Sequence, residues 1–456
     1  KIAGILDAGN RLPDPTGPIG PIGTPTDVLS GLATVNVEAS GETELGVIGG
    51  GALTTFDASE STGSVSADVS ASSANDLAVT GGAGDDVITF GAGSDLDTND
   101  SIDLGEGDNT LAITGDATNE DLDVSNVSTL QVTTDSAGNV VEAGEFGDGV
   151  GAFEVVDGDD ASTHTLTLND VADDATVNVR DQAGVFTDQT ETLSALTING
   201  ENVSGSDDTI NIGLSRSNAG TTANPNAFAL TSLSVAGFEN INLNSTGDKQ
   251  NTENEITNLN ANAQDTVTVT GDKALEIGSQ LFAPTVDASE NTGGVDIDVA
   301  GTGATDGEQD VTGSQGDDTI RVDTTTLDEE DTSIDAGDGE DTLAFSNSGT
   351  LDFDTVNDVA PFNGVSNFEV LSFGANGQTT VNIPDAFLNV FTGDTVDVVA
   401  PENAGGFLTL DASEVVTSSA TINVDASEMT NNGFNFSLNN GTSTFSGSDQ
   451  DDFVDV

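Results

Sequence analysis

The sequence predicts an all-β protein: β-roll or β-helix turns joined to strand-rich modules, either sandwich or solenoid-like. Three observations carry this. Short apolar/polar alternations recur throughout, as in LATVNVEA (32–39), HTLTLND (164–170), ATVNVRD (175–181), DTVTVTGD (265–272) and ATINVDA (420–426). Period-two runs rich in Val, Ile and Thr and bounded by Gly, Asn and Asp read as β-strands. No window of 12 or more residues holds a 3.6-residue apolar stripe. Finally, long passages repeat at a fixed offset, which is the mark of a repeat architecture.

Taken in chain order, residues 1–28 hold five of the ten prolines, between Pro13 and Pro25. They read as an extended arm or linker of polyproline-like geometry. The apolar KIAGIL end is the part suited to add to a neighbour's sheet edge. A first β module spans 29–135, a β-rich middle region with a degenerate repeat 136–285, a second module 286–375 and a third, incomplete one 376–456. DASESTGSVSADVSA (57–71) returns as DASENTGGVDIDVAG (287–301), TGGAGDDVITF (80–90) as TGSQGDDTIRV (312–322), and LGEGDNTLAI (104–113) as AGDGEDTLAF (336–345). Each copy closes on a related strand, NVSTLQV (126–132) and GVSNFEV (364–370), the latter resembling AGFENINL (236–243). A degenerate copy holds SGSDDTINI (204–212). The last breaks off in SGSDQDDFVDV (446–456), so the repeat is expected to continue past Val456. Lys1–Asn10 show neither a starting Met nor a signal-peptide core, as in a processed or partial product.

Composition narrows the function classes. The 456 residues carry 80 Asp and Glu against 7 Lys and Arg, a formal charge of −73. Phosphate binding needs a cationic surface that seven residues cannot build, so nucleic acid is no partner, and anionic membranes fall on the same ground. Self-repulsion opposes compaction unless cations neutralise it. With no Cys there is no disulfide framework, thiolate site or Cys nucleophile. No apolar run reaches 18 residues, so no transmembrane helix is expected.

The repeated turns carry the chemistry. Gly81-Gly82-x-Gly84-x-Asp86-x-Ile88 pairs glycines, which allow positive φ and close carbonyl approach, with a hard carboxylate and an aliphatic residue aimed at the core. The second copy offers Gly316 and Asp318. A hard cation such as Ca2+ takes six to eight oxygens, more than one turn supplies, so a stacked second turn must share it. That turn stands 23 residues on in both copies: Gly105-x-Gly107-x-Asn109-x-Leu111 and Gly337-x-Gly339-x-Asp341-x-Leu343. Asn109 in place of Asp offers a neutral oxygen and a weaker hold. Ser206 and Gln450 replace a glycine before Asp208 and Asp452, where a metal-free hydrogen-bonded turn competes with ligation. The insertions Gly91–Asp103 and Asp323–Asp335 interrupt the nonapeptide run, predicting short rolls rather than one extended roll. Asp-Ala-Ser-Glu recurs at Asp57, Asp287, Asp411 and Asp425. For Asp57 and Asp287 the choices are an Asx or ST turn and cation ligation. The run Asp328-Glu329-Glu330-Asp331 reads as a solvated loop.

These motifs resemble the calcium-binding repeats of RTX proteins, and the whole pattern resembles bacterial surface-layer (S-layer) proteins that carry them. The likeness rests on G-x-x-G-D-D-x-I, a polar insertion, G-x-G-x-D-T-L and V-x-x-F/L-E-x-L, together with the DASxxTGxVxxDV strand pair. It covers about 56–133, 196–243, 286–373 and 410–456, and is more specific for the calcium fold than for lattice assembly. It implies a secreted, calcium-dependent structural protein at a bacterial cell surface. Several Ca2+ ions would be its cofactors, other copies of itself its partners in a lattice or filament, and a cell-surface polysaccharide or anchor domain a further partner. A non-lattice RTX adhesin or biofilm matrix protein is the rival. Catalysis is not expected: there is no H-E-x-x-H and a single His, His164, which alternates with Leu166 and Leu168 as an ordinary strand residue. No G-x-S-x-G elbow is present.

Overall fold

Alternating sequences with one apolar face can pair in parallel only if each strand is followed by a turn, a return strand and a second turn; coils then stack. The computed structural model adopts this solution. It describes residues 32–48, 52–147, 149–156, 163–181, 193–201, 207–216, 228–247, 253–261, 266–299, 309–322, 332–345, 349–352, 364–373, 379–399, 408–413, 415, 417, 419–427, 429, 433–438 and 441–455. The Pro13–Pro25 arm, Ser206 and the Asp328–Asp331 run lie outside these residues. Every strand pair is parallel, and no α-helix occurs among the described residues, only short 3-10 turns. No helix among them is long and apolar enough to cross a membrane.

The chain divides into two compact units, residues 1–219 with 230–238, and 220–229 with 239–456. In the first, successive strands alternate between two sheets. Thr34–Asn36, Thr55–Asp57, Ala78–Thr80, Ser101–Asp103 and Asp123–Ser125 make one sheet; Thr43–Val47, Val65–Asp68, Val87–Ala92, Thr110–Thr114, Thr129–Thr133, Ala152–Val156 and Thr176–Asp181 stack in the other. The insertion 91–103 does not interrupt this stack. It carries the short strand of the opposite sheet, Ser101–Asp103, with a 3-10 turn at Gly93–Asp95. Past it, Ala137–Glu142, His164–Val171, Leu193–Gly200 and Ser232–Ala236 build a third sheet on the same principle.

Inward positions form ladders. Ile88 and Phe90, Leu111 and Ile113, Leu130 and Val132, and Phe153 and Val155 repeat on neighbouring strands, each 1 % exposed or less. Burying each such side chain contributes about 1.5–3 kcal/mol. His164 is likewise buried inside its strand.

The second unit repeats the pattern. One sheet runs Glu253–Ile256, Ala274–Leu281, Val295–Val299, Thr319–Val322, Thr342–Phe345, Val370–Phe373, Thr395–Val399, Thr421–Asp425 and Thr442–Ser446. Phe345 and Phe373 stack on adjacent coils with ring centroids 6.2 Å apart. Asn240–Gly247, Thr266–Gly271, Thr285–Asn291, Asp310–Thr312, Ser333–Asp335 and Val365–Ser366 form another sheet. A third begins with Gly349–Asp352 and ends with Phe453–Asp455. The strand-rich modules are therefore solenoidal in both units.

Candidate metal centre

The turns that join the two sheets sit one above another because each coil here is 23 residues long. Val87 pairs with Thr110, and Thr319 with Thr342. The second turn of each copy thus lies directly on the first. Gly105 and Gly337 have φ of +76° and +98°, and a Cβ on either would run into the carbonyl of Gly82 or Ser314 in the turn below. Only glycine permits both the conformation and the approach.

Asp86 is fully buried. Its Oδ1 accepts the Val65 N–H at 2.7 Å and its Oδ2 the Gly82 N–H at 2.6 Å, so the carboxylate closes its own turn and ties it to the coil below. Asp318 repeats this with the Val295 N–H (2.7 Å) and the Ser314 N–H (2.6 Å), and also accepts the Ser314 hydroxyl at 2.6 Å. The coil above closes the turn in the same way in both copies. The N–H of Asp86 donates to Asn109 Oδ1 at 2.9 Å, and that of Asp318 to Asp341 Oδ1 at 2.8 Å. The outer rim matches too. Asp85 and Asp317 each accept an N–H one coil up, at Asp108 and Glu340, at 2.9 Å. Asp103 accepts the Gly105 N–H and the Asn126 amide; Asp335 accepts those of Gly337 and Asn367.

The copies part at the second turn. In the first, the Asn109 amide nitrogen donates to the carbonyls of Gly105 (3.4 Å), Glu106 (3.4 Å) and Asn126 (3.1 Å). In the second, Asp341 is fully buried, its N–H donates to Glu369 Oε2 at 2.9 Å, and its Oδ2 has no hydrogen-bond partner. Burial pushes the Asp341 carboxyl up to about 7; the bond from the Asp318 N–H opposes this, while the charges of Asp318, Glu369 and Asp317 add to it. Burial also raises Asp318, against the bonds from Ser314 and Val295. A buried, unbonded carboxylate oxygen in an oxygen-lined turn beside two further acids fits a hard cation. Among the described residues no three acidic side chains converge on one point. A cation here would therefore draw on backbone carbonyls as well, as the glycines of the motif allow. Gly82, Gly84, Gly107, Gly316 and Gly339 all lie in these stacked turns.

The other candidates divide. Asp452 reproduces the Asp318 pattern despite Gln450: its Oδ1 accepts the Phe434 N–H (2.9 Å) and the Ser448 hydroxyl (2.7 Å), and its Oδ2 the Ser448 N–H (2.8 Å). Asp208 is half-buried just before the strand Thr209–Arg216. Asp57 and Asp287 each close an Asx turn, accepting the N–H of the serine two residues on at 3.0 Å, and Asp411 and Asp425 do the same.

Glu369 was not among the sequence candidates, because aligning NVSTLQV with GVSNFEV sets it against Gln131. The stack shifts that match by two residues. Asn126 and Asn367, at φ +57° and +64°, are the true equivalents, each donating to the Asp of the coil below at 2.7 Å. Glu369 therefore stands where the first copy has Ser128. The shared Ser-Asn dipeptides, 125–126 and 366–367, were the signal that would have found it.

Compared with family models, curated proteins and solved structures, the chain matches none.

Proposed function

We propose that this chain is a secreted calcium-binding structural protein that self-assembles into a bacterial S-layer or a related sheet or filament. In this reading Ca2+ drives both folding and subunit contacts. The observation that carries it is the buried, unbonded Oδ2 of Asp341 within the Asp318–Asp341–Glu369 column. Calcium, when bound, supplies positive charge and a shell of oxygen contacts. The chain's own residues do the rest. Asp86 and Asp318 hold their turns in shape, the glycines bring carbonyls inward, and the strands behind them anchor the turn to the core.

The charge balance supports the same reading. Of seven cationic residues, Arg180, Arg321 and Lys273 pair with Glu154, Asp296 and Asp272 beside them, leaving the acidic surface largely uncompensated. A divalent ion shared between carboxylates turns that repulsion into adhesion, within a subunit or between two. Binding free energy then becomes folding free energy. A chain of this kind stays open where calcium is scarce and folds where it is abundant, which suits export ahead of folding.

Negative-stain electron microscopy of the purified protein, in excess chelator and with millimolar calcium, tests the proposal. Sheets or filaments that form only with calcium support it. Discrete monomers that fold with calcium move the function to a non-lattice RTX adhesin, and no response to calcium refutes both.

A further inference from the structure

We infer that the Asn109 side-chain amide takes the place of a metal ion in the first copy, so that of the two matched turns only the one at Asp341 needs a cation. This deepens the calcium reading above and rests on it. The two turns are superposable in their bonding. The same carboxylate caps the same N–H at 85/108 and 317/340, at 86/109 and 318/341, at 103/105 and 335/337, and the same Asn reaches down at 126 and 367.

Within that common frame, the first copy directs one NH2 group at three carbonyls, those of Gly105, Glu106 and Asn126. Their counterparts in the second copy are the carbonyls of Gly337, Asp338 and Asn367. The group facing them there is Asp341, whose Oδ2 is an acceptor and meets no donor. Three carbonyls and a carboxylate oxygen around one point repel one another unless something positive joins them. An amide NH2 does this in the first coil, and an ion of calcium's size and oxygen preference does it in the second.

Substitution around the turn follows the same division. Where an ion is needed, Glu369 brings a second carboxylate one layer up, its Oε2 on the Asp341 N–H. Where none is needed, that place is held by Ser128, which has no charge. The first unit thus carries a turn closed by its own side chain, and the second a turn whose closure depends on calcium.

The test counts calcium bound to the full-length chain after gel filtration, by elemental mass spectrometry, for wild type, Asp341→Asn and Asn109→Asp. Far-UV circular dichroism of each is recorded in calcium and in chelator. Asp341→Asn is expected to bind one ion fewer than wild type and to fold in calcium, with the peptide 333–345 more protected from hydrogen exchange in chelator than in wild type. Asn109→Asp is expected to bind one ion more and to lose protection of 104–114 in chelator. An unchanged count in Asp341→Asn would overturn the inference, because a proton on Asp341 would then close the turn. So would an Asp341→Asn chain that fails to fold even in calcium, since the amide is held to be an adequate substitute. A wild type that binds no calcium would refute both this inference and the calcium reading. Shifted counts without lattice formation would leave the inference standing and refute only the assembly.

Discussion

Replacing Asp86 with alanine leaves two buried donors, the N–H groups of Val65 and Gly82, without the oxygens they meet at 2.7 and 2.6 Å. A buried donor stripped of its partner costs about 1–3 kcal/mol, so the pair amounts to about 2–6 kcal/mol. Loss of a desolvated charge offsets part of this and favours the lower half of that range. Because coils contact only their neighbours, the effect should be local. Hydrogen exchange followed by mass spectrometry on peptides covering 61–68 and 80–90, in saturating calcium, reads it directly. Even 2 kcal/mol accelerates exchange there roughly 30-fold, while peptides of the second unit keep their wild-type rates. Asp86→Asn retains one acceptor and should fall between. Asp318→Ala removes the acceptor for a third donor, the Ser314 hydroxyl, and should exceed Asp86→Ala. If exchange over 61–68 stays at the wild-type rate in Asp86→Ala, the carboxylate does not hold the turn and the reasoning fails.

Asp341 makes stability depend on pH in a sense opposite to a salt-bridged carboxylate. Its folded value of about 7 lies above the ordinary 3.8, so without a cation the folded state keeps a proton that the unfolded chain has lost. Stability in chelator should therefore fall as pH rises from 3.8 through about 7, with the full loss present above that. Thermal melts of wild type against Asp341→Asn isolate this effect, and the difference should vanish in saturating calcium. A difference independent of pH in chelator would contradict it. In the last repeat, Asp452→Ala removes the acceptor of the Phe434 and Ser448 N–H groups. Its half-buried setting limits the loss to about 1 kcal/mol, visible as faster exchange confined to 433–455. In the core, Leu343 is fully buried between Ile320 and Leu371 of the flanking coils. Leu343→Ala should cost about 2–5 kcal/mol, and a smaller shift in denaturant midpoint would mean the coils do not pack as described.

The strands were legible because period-two alternation reports a strand and its buried face directly. HTLTLND and ATINVDA fall within His164–Val171 and Thr421–Asp425 with Leu166, Leu168, Ile422 and Val424 inward. Alternation does not report pairing direction. That came from the 23-residue spacing of Asp86 to Asn109 and Asp318 to Asp341, a distance along the chain that equals one coil. The insertion 91–103 misled because it lacks the nonapeptide, yet it needs only three residues, Ser101–Asp103, to continue the opposite sheet. Asn109 reads in sequence as a weak ligand. Its nitrogen, aimed at three carbonyls, is visible only once the layer holding Asn126 is set above it. Glu369 stayed hidden because the segment after Asp341 is nine residues longer than its counterpart after Asn109, which slides the match between copies.

The central claim is that a cation completes this fold. Far-UV circular dichroism and small-angle scattering of the intact chain, titrated from excess chelator to millimolar calcium at pH 8, test it most directly. The account predicts an expanded chain with weak β signal that contracts and gains β signal cooperatively as calcium is added. Magnesium, which demands tighter octahedral geometry and gives up water reluctantly, should fail to replace it at equal concentration. A chain equally compact and equally β-rich in chelator and in calcium would contradict the account.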